Sequence, residues 1–291
     1  MRKRIVISSI IVISFILIYW CYAQKADERG ASNKTTEKSS QAVQPKDPSQ
    51  QILHFNLEGY NDSGNKEWQI EGESADIIGN KINLNNIVAK SYSDKAKVTL
   101  VADKGVYDKD TRDIKLAENV VAMTDDGAKL TADSLSWIQT KESITTDGPV
   151  TLERDDIKTS GTGAVASPKL KQVELKENVR VEMKPATMIT CDGSLEFDYE
   201  NSVAVFNDNV AIKDERGEIH ADKITAYLDK VSKKIREIIA EGNVRIVRGE
   251  SSTYSDKATY IADTGKVVLS GSPKLVVYPE EGMQMPEILG K

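Results

Sequence analysis

The stretch Leu116–Met123 reads "LAENVVAM", and the phrase returns as "LKENVRVEM" at 175–183, "FNDNVAI" at 206–212 and "AEGNVRIV" at 240–247. Aligning the valine after each Asn or Gly turn gives Val120, Val150, Val179, Val210 and Val244, which fall 30, 29, 31 and 34 residues apart. A second phrase keeps step with it: Ala102-Asp103, Ala132-Asp133, Cys191-Asp192, Ala221-Asp222 and Ser255-Asp256, with Thr159-Ser160 as a degenerate copy. Two phrases locked to one period are the signature of a repeat architecture.

The unit is built of strands. "AKVTLVA" at 96–102 puts Val98, Leu100 and Ala102 on one face and Lys97 and Thr99 on the other. "AKLTA" at 128–132 alternates in the same way, and period-2 alternation in short runs is the strand signal. "ADKITAYLDKVSKKIREIIAEG" at 221–242 has a helical look, but the repeat reads it as strand, turn, strand. Polar hairpins separate the strands at "YDKDTRDI" (107–114), "DYENSVAVF" (198–206) and "IADTGKVVL" (261–269).

The facing switches inside the repeat. Ile219 and Ala221 share one parity, whereas Ile224, Ala226 and Leu228 share the other. A strand that bends at Asp222 and continues in a second layer produces this. Asp and Asn suit such a corner because both bond local backbone and Asn tolerates left-handed φ. The expected fold is therefore all-β: an elongated antiparallel β-jelly roll, a folded two-sheet repeat, preceded by one N-terminal transmembrane helix.

The anchor rests on Met1-Arg-Lys-Arg4 followed by Ile5–Ala23, 19 residues without a charge. As a helix this run spans about 28 Å, the thickness of a bilayer's hydrocarbon. Its basic flank belongs in the cytoplasm, so the body is exported. Tyr19, Trp20 and Tyr22 sit at the far end, where aromatic rings favour the interface. Two rivals are a signal peptide cleaved after Ala23 and a lipoprotein cysteine at Cys21, against which the bulky Trp20 weighs. Residues 24–50 are polar and aperiodic, a flexible linker.

Composition excludes several functions. The net charge is −6, and without Arg2, Lys3 and Arg4 there remain 36 basic against 45 acidic residues. An acidic body does not suit nucleic acid. His54 and His220 are the two histidines, and Cys21 and Cys191 the two cysteines, too few for a zinc site or a disulfide framework. No phosphate loop, nucleophile elbow or metalloprotease motif occurs. "SGTG" at 160–163 reads as a β-turn. Asp and Asn at the corners read as structural, and Glu118, Glu177 and Glu241 as solvated. No catalytic residue, metal or cofactor is assigned.

The basic terminus, single anchor, polar linker and stacked "ADK…Y" and "ENV" hairpins resemble the OstA-like lipopolysaccharide-transport family. Residues 51–183 look like LptC and residues 184–280 like an LptA-type continuation of the same jelly roll, with 1–4 as a cytoplasmic tail and 281–291 as a terminal tail. The chain extends past a typical LptC, so two arrangements stand: a separate LptA-type bridge, or a bridge supplied in part by this chain. The resemblance implies a passive role. Acyl chains of lipopolysaccharide or a related glycolipid would lie in an apolar groove lined by Val98, Leu100, Ala102, Leu130, Ala132, Leu135, Trp137, Ile189, Ile219 and Ala221. It implies an inner-membrane, single-pass protein with a periplasmic body and no enzymatic activity. Its partners would be an inner-membrane ABC transporter and a periplasmic bridge protein or outer-membrane receiver. Edge strands at Leu53, Phe55 and Leu57 and at Leu275, Val276 and Val277 would join them by strand addition. The competing classes are an envelope scaffold or adhesin with a closed core, and a carbohydrate-active β-solenoid enzyme, which would need acids clustered in a cleft.

Overall fold

The structure is a computed structural model and describes residues 50–60, 64–92, 97–125, 127–167, 170–231 and 234–276. The expected cytoplasmic tail, anchor, most of the linker and the terminal tail lie outside them, as does Val277. The described chain is one antiparallel sheet of 17 strands. It begins with β1 (Gln50–Tyr60), β2 (Lys66–Ile78), β3 (Lys81–Ser91), β4 (Val98–Asp108), β5 (Ile114–Thr124) and β6 (Lys129–Ile138). It continues through β7 (Ser143–Arg154), β8 (Ile157–Ser167), β9 (Gln172–Met183), β10 (Thr187–Cys191), β11 (Leu195–Asp198) and β12 (Val203–Asp214). It ends with β13 (Gly217–Leu228), β14 (Ile235–Arg248), β15 (Ser251–Ile261), β16 (Lys266–Ser270) and β17 (Lys274–Val276). With two exceptions, each strand pairs antiparallel with its sequence neighbours, as short polar turns between strands favour. β10 and β11 are two halves of one rung, both pairing with β9 and β12. β16 and β17 share β15 in the same way. The one helical turn among the described residues is Gln139–Lys141, and 221–242 forms β13 and β14 as the repeat requires.

The repeated phrases are corners. In β5, Glu118 and Asn119 have φ of 64° and 52°; in β12, Asp208 and Asn209 have 63° and 50°; in β14, Gly242 and Asn243 have 77° and 48°. The ladder slips at these points, between Ala117 and Val120, Asn207 and Val210, and Glu241 and Val244. Two left-handed residues in succession are a strong bend, which Asn, Asp and Gly accept most readily.

Two kinds of strand alternate, and burial distinguishes them. In β4, β6, β13 and β15 the buried positions step by three across the corner: Ala102 to Gly105, Ala132 to Leu135, Ala221 to Ile224, Ser255 to Ala258. These are the small-Asp strands, and they change face. In β5, β12 and β14 the step is four: Leu116 to Val120, Phe206 to Val210, Ala240 to Val244. The aligned valines form the innermost stack, with Val120, Val150, Val179, Val210 and Val244 each at most 2% exposed. Burying each contributes about 1.5–3 kcal/mol. The phrase recurs because every rung must place one apolar β-branched side chain inside a bend.

Three expectations change. The two sheets are a single hydrogen-bonded sheet that bends, so the layers are its two arms. Where local backbone bonds were expected at the corners, the Asn and Asp side chains bond each other across strands: Asn119 to Asp103 at 2.6 Å, Asn209 to Asp192 at 2.9 Å and Asn243 to Asp222 at 2.9 Å. "SGTG" is no β-turn but lies inside β8, with a ladder irregularity between Ser160 and Thr162. Its glycines serve the corner: Gly163 has φ +69°, and a Cβ on Gly161 would stand 3.2 Å from the Glu177 carbonyl oxygen. The β6–β7 corner carries no such Asn, because β7 reads Asp147-Gly148-Pro149 there.

Candidate functional site

The bend turns the two arms of the sheet toward each other, and the space between them is incompletely filled. One apolar cleft, partly open to solvent, has about 30 Å³ of free volume. Ala89, Ser91, Val98, Leu100 and Ala122 wall it on the first arm, and Ile114, Leu116, Leu135, Trp137 and Ile144 on the second. The register explains both walls. Ser91 pairs with Val98, Ala89 with Leu100 and Leu100 with Ala122. On the other arm Ile114 pairs with Trp137, Leu116 with Leu135 and Trp137 with Ile144.

A second cleft, of about 20 Å³, lies deeper along the stack, between Leu130, Val150 and Leu152 on one arm and Ala164, Ala166, Val173 and Leu175 on the other. Leu135 and Ile144 line both clefts, so the two are neighbours in one interior. No ionisable side chain lines either. The Trp137 indole N–H donates to Gln139 Oε1 at 3.1 Å, which leaves its ring apolar toward the cleft.

Charged groups stay outside. Glu118 pairs with Lys104 at 2.7 Å and Glu241 with Lys257 at 2.9 Å, both on exposed faces. The Lys257 hydrogen bond holds the Glu241 carboxyl below its usual range. Such exposed pairs contribute little to stability. Burial pushes the Cys191 thiol up to about 11, so the corner cysteine is a neutral, inert side chain at neutral pH. Among the described residues no group of three or more His, Cys, Asp or Glu side chains is placed to hold a metal ion.

The expected groove residues divide into two sets. Val98, Leu100, Leu130, Leu135 and Trp137 wall the clefts. Ala102 and Ala132 are buried at corners, and Ile189, Ala221 and the partly buried Ile219 pack into the core of the later rungs, outside both cleft walls. There Phe197 and Phe206, 4% and 2% exposed, occupy the interior. Sequence reasoning missed Ala89, Ser91, Ile114, Leu116, Ala122 and Ile144. Alternation in "NIVAKS" at 86–91 carried the signal for the first two; the others needed the pairing register.

The ends of the sheet are also distinct. Among the described residues β1 pairs on one side with β2, and β16 and β17 on one side with β15. Leu53 and Leu57 are 63% and 55% exposed, and Leu275 is 65% exposed. Phe55 differs from its edge neighbours: it is 9% exposed, and its ring covers Gly72 so closely that a Cβ there would clash.

A bent antiparallel sheet around an apolar, uncharged cleft places the chain among β-proteins built as one folded sheet with an apolar interior. Within that class the chain belongs to the LptC-related lipopolysaccharide-assembly family, whose pattern it matches over residues 11–184. Residues 188–284 match a second family, the LptA/(LptD N-terminal domain) LPS transport protein. No curated protein matches the chain. No helix among the described residues is long and apolar enough to cross a membrane, and the expected anchor at 5–23 lies outside them.

Proposed function

We propose that this protein takes the acyl chains of lipopolysaccharide or a related glycolipid into the cleft between its arms and passes the lipid from an inner-membrane ABC transporter toward the outer membrane. The observation that carries this reading is the lining of the cleft, where Leu100, Leu116, Leu135 and Trp137 face one another across the arms with no charge between them, so that a small parting of the arms opens an apolar groove. Each buried CH₂ gains about 0.8 kcal/mol, so an acyl chain is held without a specific polar contact. Similar apolar surfaces along the stack keep the differences between positions small, as handover requires. The uncharged run at 5–23 supports single-pass anchoring in the inner membrane with the body in the periplasm. The one-sided pairing of β1 and of β16 and β17 supports strand addition, with the first end toward the transporter and the last toward a bridge protein or the outer-membrane receiver. The chain acts by binding and has no catalytic role in this reading.

Trp137 reports on occupancy. Its emission, taken as the difference between the protein and Trp137→Phe, is quenched by a glycolipid brominated on its acyl chains and unaffected by the unbrominated lipid. A difference emission that brominated lipid leaves unchanged at saturation would favour a closed-core scaffold.

A further inference from the structure

The first cleft contains one polar side chain that has no partner. Ser91 is 5% exposed, and its Oγ is buried without a hydrogen bond. It lines the cleft among Ala89, Val98, Leu100 and Ile114. A buried hydroxyl left unpaired is costly and therefore asks for an explanation. A water molecule is a poor answer, because a stable buried water needs two to four polar partners, and the remaining walls are aliphatic or aromatic.

Position adds a second constraint. Ser91 is the last residue of β3, and it pairs with Val98, the first residue of β4. Both stand at the end of the first arm away from the corner at Asn86 and Asp103. On the facing arm Ile114 and Trp137 also end their strands away from the corner. Ser91 is thus on the lip of the cleft, where a chain with its tail inside would have its head.

We propose that Ser91 is a specificity-determining residue: its hydroxyl exchanges a hydrogen bond with a hydroxyl carried near the head of the acyl chain that fills the cleft. A serine hydroxyl both donates and accepts, so a ligand hydroxyl satisfies it either way. This rests on the acyl-chain reading of the cleft and adds to it a preference for hydroxylated chains.

The test measures binding of tetradecanoate and 3-hydroxytetradecanoate to the full chain and to Ser91→Ala by competition with a fluorescent fatty acid. The expected result is a roughly two- to tenfold preference for the hydroxylated chain, the worth of one net hydrogen bond. Ser91→Ala loses that preference while still binding tetradecanoate. Binding of both chains without a preference, or a preference that survives in Ser91→Ala, overturns the role of Ser91 and leaves the cleft reading standing. If neither chain displaces the fluorophore from the unaltered protein, the cleft reading fails and this inference with it.

Discussion

Asn119 Nδ2 donates to Asp103 Oδ2 at 2.6 Å across the β4–β5 corner, so the residue that bends one strand is tied to the residue that switches the face of the strand before it. The same tie joins Asn209 to Asp192 and Asn243 to Asp222. Asn86 bonds Glu73 at the corresponding place between β2 and β3. Each corner therefore fixes backbone geometry and pairing register together.

Asn119→Ala removes that hydrogen bond and forces an ordinary side chain into left-handed φ. The expected loss is about 1–3 kcal/mol. Asn119→Gly restores the backbone freedom but not the bond, and falls between Asn119→Ala and the unaltered protein. Urea denaturation ranks the three; equal midpoints would show that the corner does not depend on Asn.

Cys191 sets a pH dependence. Its thiol is raised from an ordinary 9.0 to about 11, first because burial disfavours the thiolate. The unfolded chain loses this proton at lower pH than the folded one, so the contribution to stability is full below about 9 and is lost as pH rises from there toward 11. Cys191→Ala flattens that part of the stability profile measured by denaturation at pH 8 and pH 10. Alkylation of Cys191 at pH 8, followed by peptide mass, is slower than in the urea-unfolded chain by about two powers of ten on thiolate fraction alone. Equal rates would contradict the buried placement.

Under the proposed strand addition, the last edge offers main-chain groups to a partner. Leu275 and Val276 pair with Thr253 and Ser252 through β17, and successive amides along a strand point to opposite sides. One of Leu275→Pro and Val276→Pro therefore removes an outward donor and abolishes binding to an LptA-type bridge protein. Its thermal midpoint moves by only a few degrees, because an edge proline costs the sheet little. Normal binding by both variants would remove strand addition at this end.

Much of the fold is legible in the chain because its period is written twice. The valine phrase marks the innermost position of a bend, and the small-Asp phrase marks where facing changes. Both follow from local chemistry, left-handed φ and side-chain parity, so both survive without knowledge of pairing. The cleft is less legible. Val98 and Leu100 follow from alternation, but their opposite wall of Ile114, Leu116 and Ile144 depends on which arms meet, a property of register and bend angle. Ala102, Ala132 and Ala221, expected in the groove as small inward residues, are buried beside the corner aspartates and line neither cleft. "SGTG" also misleads. Paired glycines usually mark a turn, and here they relieve crowding where β8 bends against β9.

The central claim is that acyl chains lie between the arms, and the most direct measurement is site-specific photocrosslinking in living cells. A photoreactive residue at the partly buried, cleft-facing Leu100 is compared with one at Thr99, its neighbour on the outer face. The account predicts a glycolipid adduct from Leu100 and none from Thr99. Equal labelling from both positions, or none from Leu100 in cells that carry Thr99 adducts, would contradict it.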